Sequence, residues 1–405
     1  MTSTADTGPT LPTGDTAATT VEAWACADLE SCWVHSALTI RLNWEGTLSG
    51  HDIGVLEGTP NRLVASAPHH PAYVGGGWSS SLIAALELDG TPGWSPVFNT
   101  QLYVDAYPQA TGANPPIVAR MGSSVVLPGD VTGDGIPDVV ALSDALAPEV
   151  PGMLLFPGPI GPLGGLPLGQ DAPGVLSGDA DIFDGARCGD LTGDGVAELV
   201  LDDGIVVGPI DGSDATPLAR DVPLTGRVYA IDDRTSPGCL WGDGSAVHLL
   251  TGVSAGSPVT TTLFQTPGWP SAMHALELPG GVLTTAVGLM EGASYRVEVR
   301  ASPTAPPLVL PLSRPPRAVL QVDLDGDGTL EVLVGTTETL EVYDATGTSQ
   351  GTWWVSGSVE PPGFRLMAAD VQLGPEKELV LSEPWAMNTE GLVFVFPLPL
   401  APLVP

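Results

Sequence analysis

The sequence predicts an all-β fold, a seven-bladed β-propeller of four-stranded antiparallel blades with calcium-binding loops. Two observations predict it: an acidic nine-residue phrase that occurs three times, and a repeat spacing close to the length of one propeller blade. The phrases are DVTGDGIPD from Asp130, DLTGDGVAE from Asp190 and DLDGDGTLE from Asp323. An apolar β-type run follows each phrase at once (VVAL, LVL and VLV). Each phrase therefore indicates a tight loop that leads into a strand.

The intervals between the phrases set the number of blades. The first two phrases are 60 residues apart and the last two are 133 apart, and the longer gap is about three blade lengths. Weaker copies fill the gaps, so seven units are expected, with these acidic start points: Asp52, Asp130, Asp190, Asp232, Glu277, Asp323 and Asp370. The blades are expected to start near residues 50, 119, 185, 227, 272, 317 and 364. A β-helix of calcium-binding repeats is the rival, but its repeats are shorter and its phrase GGxGxD is absent.

The phrase itself predicts a site for a hard cation. It places oxygen-bearing residues at positions 1, 3, 5 and 9, a main-chain carbonyl at position 7 and glycine at position 6, which suits Ca²⁺. An EF-hand starts with similar letters but needs a bidentate Glu at position 12. Position 12 is Ala141, Leu201 or Val334 here, and the flanks alternate like strands, so the EF-hand is excluded.

With these loops the chain resembles the FG-GAP repeats of the integrin α-subunit head and of many bacterial secreted proteins. In that family a DxDGDGxxDLxVG-like loop binds Ca²⁺ between the two inner strands of a blade. The resemblance covers most of the chain from about Asp52 and implies about three Ca²⁺ ions. The implied ligands are Asp130, Thr132, Asp134, Ile136 (carbonyl) and Asp138; Asp190, Thr192, Asp194, Val196 (carbonyl) and Glu198; and Asp323, Asp325, Asp327, Thr329 (carbonyl) and Glu331. Threonine at position 3 and glutamate at position 9 depart from the family pattern.

Composition predicts one β-rich domain after a short N-terminal spacer. Residues 1–22 are expected to be a disordered spacer rich in Thr, Gly, Pro and Asp, and residues 23–405 a single propeller. The segment 37–43 (ALTIRLN) alternates like a strand and is expected to close the last blade. The spacer does not have the pattern of a signal peptide. It is similar to the tethers of bacterial surface lipoproteins, so a lipid anchor upstream of the given sequence is an open alternative. The apolar C-terminal run is too short to span a membrane and contains four prolines.

Charge and cysteine content narrow the partners and the compartment. With 47 acidic and 13 basic residues, the net charge is −34, so nucleic acids and anionic membranes are not expected partners. Four cysteines allow three pairings. We expect Cys26 with Cys32, and Cys188 with Cys239 between neighbouring blades; four free thiols are the alternative. Disulfides would indicate an extracytoplasmic protein, secreted, periplasmic or a surface lipoprotein of a bacterium.

Motifs for nucleophilic, zinc or nucleotide chemistry are missing: GxSxG, HExxH, CxxC and GxxxxGK[ST] do not occur. We therefore expect a monomeric, non-catalytic adhesion or interaction module that binds a protein or glycan ligand at the cell surface. Tyr73 and Trp78, in a glycine-rich insertion after His69 and His70, are the candidate ligand contacts; a loop that packs its own aromatic residues is the alternative. A polysaccharide lyase or hydrolase, or a lectin, are the other functions considered.

Overall fold

The structure is a computed structural model, and in the part of the chain that it describes all regular structure is β-strand. It describes residues 38–40, 52–57, 61–70, 80–87, 93–99, 121–143, 153–158, 185–201, 204–206, 227–234, 236–254, 257–336, 339–354, 365–371, 377–383 and 392–400. None of these residues lies in a helix, so none of them forms a helix that could span a membrane. The all-β class predicted from the sequence is confirmed.

Consecutive strands form antiparallel meanders, each called a unit below. Three units occupy the first half of the chain after the short strand β1 (Leu38–Ile40). Unit 1 contains β2 (Ile53–Leu56), β3 (Arg62–His70), β4 (Ser80–Glu87) and β5 (Gly93–Asn99). Unit 2 contains β6 (Met121–Gly129), β7 (Asp138–Ser143) and β8 (Met153–Phe156), and unit 3 contains β9 (Gly185–Arg187), β10 (Leu199–Leu201) and β11 (Gly204–Val206).

An eight-stranded sheet follows, which consists of two four-stranded meanders. Unit 4 contains β12 (Val228–Asp232), β13 (Cys239–Gly242), β14 (Ala246–Ser254) and β15 (Ser257–Gln265). Unit 5 contains β16 (Trp269–Leu278), β17 (Val282–Glu291), β18 (Ser294–Arg300) and β19 (Leu308–Leu312). A short parallel pairing of β12 with β16, at Ile231 and Ala275, joins the two.

Two more units complete the described chain. Unit 6 contains β20 (Ala318–Val322), β21 (Glu331–Gly335), β22 (Thr339–Tyr343) and β23 (Ser349–Trp354). Unit 7 contains β24 (Arg365–Ala369), β25 (Glu378–Glu383) and β26 (Leu392–Pro397), and its fourth strand is β1. Thr39 of β1 is the antiparallel partner of Phe394. The N-terminal strand thus covers an edge of the last sheet that would otherwise be open.

The units pack side by side through their apolar faces. The first strand of each unit contacts the first strand of the next one, and β24 of unit 7 contacts β2 of unit 1. Leu63 and Ala65 of unit 1 share a buried cluster with Val380 and Val395 of unit 7. Burial of each leucine or valine side chain in this cluster stabilises the fold by about 1.5–3 kcal/mol.

The three acidic phrases connect the first and second strands of their units, as the sequence predicts. They are named loop 1 (residues 130–138), loop 2 (190–198) and loop 3 (323–331). Asp52, by contrast, does not begin a loop of this kind: it precedes β2 and is buried, and it accepts hydrogen bonds from Ser124 Oγ (2.9 Å) and Val125 N (2.8 Å). The acid that follows the first strand of unit 1 is Glu57, whereas Asp52 lies directly before that strand.

A central cavity of about 490 Å³ lies between the first strands of the seven units. Its lining includes residues of β2, β6, β9, β12, β16, β20 and β24. Loops 1, 2 and 3 begin where β6, β9 and β20 end, so the three loops lie at one end of the cavity. Arg317 and Arg365, at the starts of β20 and β24, lie towards the opposite end.

Candidate metal centres

Each loop is folded around the carboxylate of its first residue. In loop 2, Asp190 Oδ1 accepts hydrogen bonds from the N–H groups of Gly193 and Asp194, and Oδ2 accepts one from Gly195 at 2.8 Å. Gly193 and Gly195 have φ angles of 80° and 92°, in the left-handed region. A Cβ at either position would meet nothing within 4 Å, so backbone conformation rather than space requires glycine. Loops 1 and 3 make the same two glycine contacts.

The aspartate at position 5 is oriented by the residue at position 7. In each loop the N–H of position 7 donates to an Oδ1 atom of position 5: Ile136 to Asp134 (2.8 Å), Val196 to Asp194 (2.9 Å) and Thr329 to Asp327 (2.7 Å). These aspartates are exposed. Each keeps its second carboxylate oxygen at the loop surface, where a cation could approach it.

The carboxylate at position 9 fastens the loop to the second strand. Asp138 and Glu198 are fully buried and Glu331 is 7% exposed. Each accepts a hydrogen bond from the N–H of position 2 of its own loop: Val131 to Asp138 (2.8 Å), Leu191 to Glu198, and Leu324 to Glu331 (2.8 Å). A charged acceptor makes these bonds stronger than neutral ones. Position 9 therefore has a structural role whether or not it touches a metal.

Glu378 is a fourth carboxylate of this kind, and the sequence analysis did not single it out. It is 1% exposed and accepts a hydrogen bond from Val371 N at 2.8 Å. The signal was present in the sequence, because Glu378 is the ninth residue counted from Asp370. Unit 7 thus keeps this fastening contact although its turn lacks the acid and glycine of positions 5 and 6.

Two loops bring three acidic groups together. In loop 2, ligand atoms of Asp190, Asp194 and Glu198 all lie within 4.8 Å of one another. In loop 3 the same holds for three acids: Asp323, Asp325 and Asp327. The donors are oxygen atoms, which suit a hard cation such as Ca²⁺. The metal-binding geometry expected from the sequence is therefore present in part in both loops.

Loop 1 is different because its position-9 residue is shorter. Asp138 Oδ2 accepts from Val131 and Thr132, and Oδ1 accepts from Gly158 N at 2.9 Å. Both carboxylate oxygens are engaged with the backbone, and no cluster of three acids is found in loop 1 among the described residues. Asp130 and Asp134 are the acids that remain for a cation in this loop.

The buried carboxylates hold their protons more tightly than ordinary acids. Burial raises the pKa of Asp138 and of Glu198, although hydrogen bonds from the loop oppose the rise. Burial also raises the pKa of Glu331 to about 7. The charges of Asp325, Asp323 and Asp327 add to that rise, while the hydrogen bond from Leu324 opposes it. The three aspartates of loop 3 thus place negative charge around Glu331.

Three turns without the full phrase neutralise their acids with basic side chains. Glu57 follows β2 and pairs with Arg187 of unit 3. The other two pairs are Asp233, after β12, with Lys377 of unit 7, and Glu277, near the end of β16, with Arg234 at 3.7 Å. No acid of loops 1, 2 or 3 has such a pair among the described residues. Where the phrase is intact, the balancing positive charge is missing from the described protein.

A disulfide joins units 3 and 4 beside loop 2. Cys188 and Cys239 are bonded, with Cα atoms 5.0 Å apart. Cys188 lies two residues before Asp190, the first residue of loop 2. Its carbonyl accepts a hydrogen bond from Gly238 N at 2.7 Å. Both cysteines belong to one buried apolar cluster, and Trp241 packs against it. The expected pairing of Cys188 with Cys239 is present; Cys26, Cys32, Tyr73 and Trp78 lie outside the described residues.

A histidine and an aspartate lie together beside the cavity, but they offer no free base. Gln321 N donates to His274 Nδ1 at 3.1 Å, so the proton of a neutral ring is on Nε2, which lies 3.0 Å from Asp232 Oδ2. Both ring nitrogens are therefore engaged. His274 is 9% exposed and connects the first strands of units 4, 5 and 6.

No protein-family model and no curated protein sequence matches the chain. Solved structures with some similarity include the Dos1 propeller (10% identity, 88% of this chain, 94% of that chain, TM-score 0.47). They also include BBS1N in complex with ARL6DN (15% identity, 90% of this chain, 97% of that chain, TM-score 0.43). A nidogen–laminin complex is a third (13% identity, 67% of this chain, 90% of that chain, TM-score 0.37). With TM-scores below 0.5, these likenesses carry no argument about fold or function. The architecture rests on the strand pairing and contacts of this chain.

Proposed function

We propose that this chain is a seven-bladed β-propeller that binds Ca²⁺ in loops 1, 2 and 3 and acts outside the cytoplasm as a non-catalytic adhesion or interaction module. The observation that carries the proposal is the difference between the two kinds of turn. Three turns with a degenerate phrase neutralise an acid with Arg or Lys, whereas the intact loops have acids with no basic partner among the described residues. A divalent cation is the group that would balance them.

The proposed ring of seven blades is supported by the contacts of units 1 and 7. β1 supplies the fourth strand of unit 7, and Asn61 Nδ2 of unit 1 donates to the carbonyl of Asp370 at 3.0 Å. Arg365 of unit 7 lies 3.4 Å from the carboxylate of Asp52. In a closed ring every blade buries its faces against two neighbours and leaves only short edges.

Calcium would stabilise contacts between blades in this proposal, because each intact loop also bonds to a different unit. In loop 1 the carbonyl of Asp130 accepts from Ala197 N of unit 3 (3.1 Å). In loop 2 the carbonyl of Leu191 accepts from Val253 N of unit 4 (2.9 Å), and in loop 3 the carbonyl of Leu324 accepts from Leu400 N of unit 7 (2.6 Å). An ion that orders a loop would hold these bonds in place. The metal supplies charge balance and rigidity.

The extracytoplasmic location is supported by the Cys188–Cys239 disulfide, since oxidised cysteine pairs persist mainly in oxidising compartments. The partner in this proposal is a protein or glycan that binds the insertion around Tyr73 and Trp78. Once a ligand is found by array screening, Tyr73→Ala with Trp78→Ala should weaken binding and leave the melting temperature unchanged. Unchanged affinity would place the contact elsewhere.

Calorimetric titration with CaCl₂ tests the metal proposal. We expect three binding events, with loop 1 the weakest because it offers two free acids instead of three. Asp194→Asn and Asp327→Asn should each remove one event. Glu291→Gln removes an equal charge from an exposed surface pair and should remove none. Absence of binding, or equal losses in the control variant, would contradict the proposal.

A further inference from the structure

The central cavity is lined by an arginine that has no acidic partner among the described residues. Arg317 directly precedes β20, and its side chain lines the cavity. Its Nε atom is buried and has no hydrogen-bond partner in the described part of the chain. The side chain as a whole is half-buried, and burial of a polar atom without a partner costs free energy. Arg317 therefore lies in a position that the fold alone does not favour.

The lack of a partner is unusual for this composition. The chain has 47 acidic and 13 basic residues, so a basic side chain has many carboxylates to choose from. Ion pairs are formed by these basic residues: Arg187, Arg234, Arg296, Arg300, Arg365 and Lys377. Within the described segments, no carboxylate lies within ion-pair distance of Arg317 or of Arg227.

Arg227 adds a second positive charge close to Arg317, although it is exposed and does not itself line the cavity. It directly precedes β12, as Arg317 precedes β20, and β16 packs between these two strands. Burial of the guanidinium, and then the charge of Arg227, lower the pKa of Arg317. Asp52, the acid at this end of the cavity lining, is paired with Arg365 at 3.4 Å, so the two like charges of Arg317 and Arg227 make this mouth of the cavity attractive to an anion.

We propose that this mouth of the central cavity binds the oxyanion group, a carboxylate or a phosphate, of a small ligand, with Arg317 as the main contact and Arg227 as support. A guanidinium presents paired N–H groups that match either oxyanion. The net charge of −34 repels ligands that carry many negative charges, such as extended polyanions. The proposed ligand is therefore a small molecule. The cavity of about 490 Å³ is within the usual size range of small-molecule sites. The site goes beyond the proposed function and lies at the end away from the calcium loops.

Benzoate and phenyl phosphate are matched probes, since they share a ring and differ in the oxyanion; neutral benzamide is the control. Each is titrated by calorimetry into the calcium-loaded full chain in chloride buffer. We expect one or both anions to bind and benzamide not to bind, and the arm that binds identifies the oxyanion. Arg317→Gln should weaken binding at least ten-fold. Arg314→Gln, which changes an exposed arginine outside the cavity lining, should bind as the wild type does.

The melting temperature gives an independent readout. In chloride buffer without an oxyanion, Arg317→Gln should melt no lower than the wild type, because it removes a half-buried guanidinium that has no acidic partner among the described residues. The backbone bond from residue 317 to the Gly335 carbonyl (2.8 Å) remains. Added anion should raise the melting temperature of the wild type but not that of the variant. The inference is overturned if neither anion binds, if Arg314→Gln loses as much affinity, or if Arg317→Gln melts lower in the anion-free buffer.

Discussion

Calcium binding at loop 3 should weaken about ten-fold between pH 8 and pH 6. The perturbation is the protonation of Glu331, whose pKa is about 7 without metal, because of burial and the charges of three nearby aspartates. A cation that balances those aspartates lowers this pKa, and the proton is released on binding. Glu331 need not touch the ion for this coupling to operate.

The size of the expected change in calcium affinity follows from the pKa of Glu331. With a value of about 7, roughly one tenth of Glu331 is ionised at pH 6 and roughly nine tenths at pH 8, so the ten-fold change is the ratio of the two ionised fractions. At pH 7, binding should release about half a proton from this residue. Glu198 and Asp138 have raised pKa values as well, so loop 3 has to be measured alone.

Without calcium, the same pKa shift also sets the direction in which the free energy of unfolding changes with pH. The folded-state pKa of Glu331 is above its ordinary value of 4.5, so the native state holds more protons than the unfolded state between about pH 4.5 and pH 7. Its contribution to the free energy of unfolding therefore falls as pH rises through that window, by on the order of 3 kcal/mol. Calcium should remove most of this loss.

The assay uses a chain with Asp134→Asn and Asp194→Asn, which leaves loop 3 as the intact site. Calorimetry at pH 6, 7 and 8, in buffers with different ionisation enthalpies, gives both the affinity and the protons released. In the same background Glu331→Gln should bind calcium with little dependence on pH. An affinity at loop 3 that stays constant across this range would refute the reasoning.

Two structural predictions concern the cross-link between units 3 and 4 and the strand that completes unit 7. Cys188→Ser with Cys239→Ser should lower the free energy of unfolding by about 4 kcal/mol, from a cross-link that spans 51 residues; an unchanged denaturation midpoint under non-reducing conditions would contradict it. Deletion through Asn43 removes β1 and should cause aggregation, because the edge of β26 is then exposed. Deletion through Thr20 should leave the melting temperature unchanged, and a monomeric, equally stable longer truncation on size exclusion would exclude the closing role of β1.

The parts of the fold that the sequence predicted are those with a local signal. Glycines with left-handed backbone and the acids that bind their N–H groups lie within nine residues of one another, so DLTGDGVAE carries the conformation of loop 2 by itself. The strand after each phrase was predictable from its apolar run. Unit 5 was predictable for the same reason, since ALELPGGVLTTA forms the hairpin of β16 and β17.

The parts that were missed depend on contacts between distant residues. Asp52 looked like a loop acid, but its partners are Ser124 and Arg365, which lie 72 and 313 positions away in the sequence and which the packing of units 1, 2 and 7 brings to it. The pairing of Glu57 with Arg187 joins residues 130 positions apart, so nothing near either residue shows it. The same holds for Arg317, whose significance comes from a cavity lined by seven separate strands.

The central claim is that the intact loops bind Ca²⁺ ions, and native mass spectrometry counts those ions directly. In calcium-containing ammonium acetate, the wild-type chain should retain three ions, Asp327→Asn two, and Asp194→Asn with Asp327→Asn one. At matched calcium concentration and with a similar distribution of charge states, Glu291→Gln should still retain three. A wild-type chain without bound calcium, or loop variants that keep all three ions, would contradict the account.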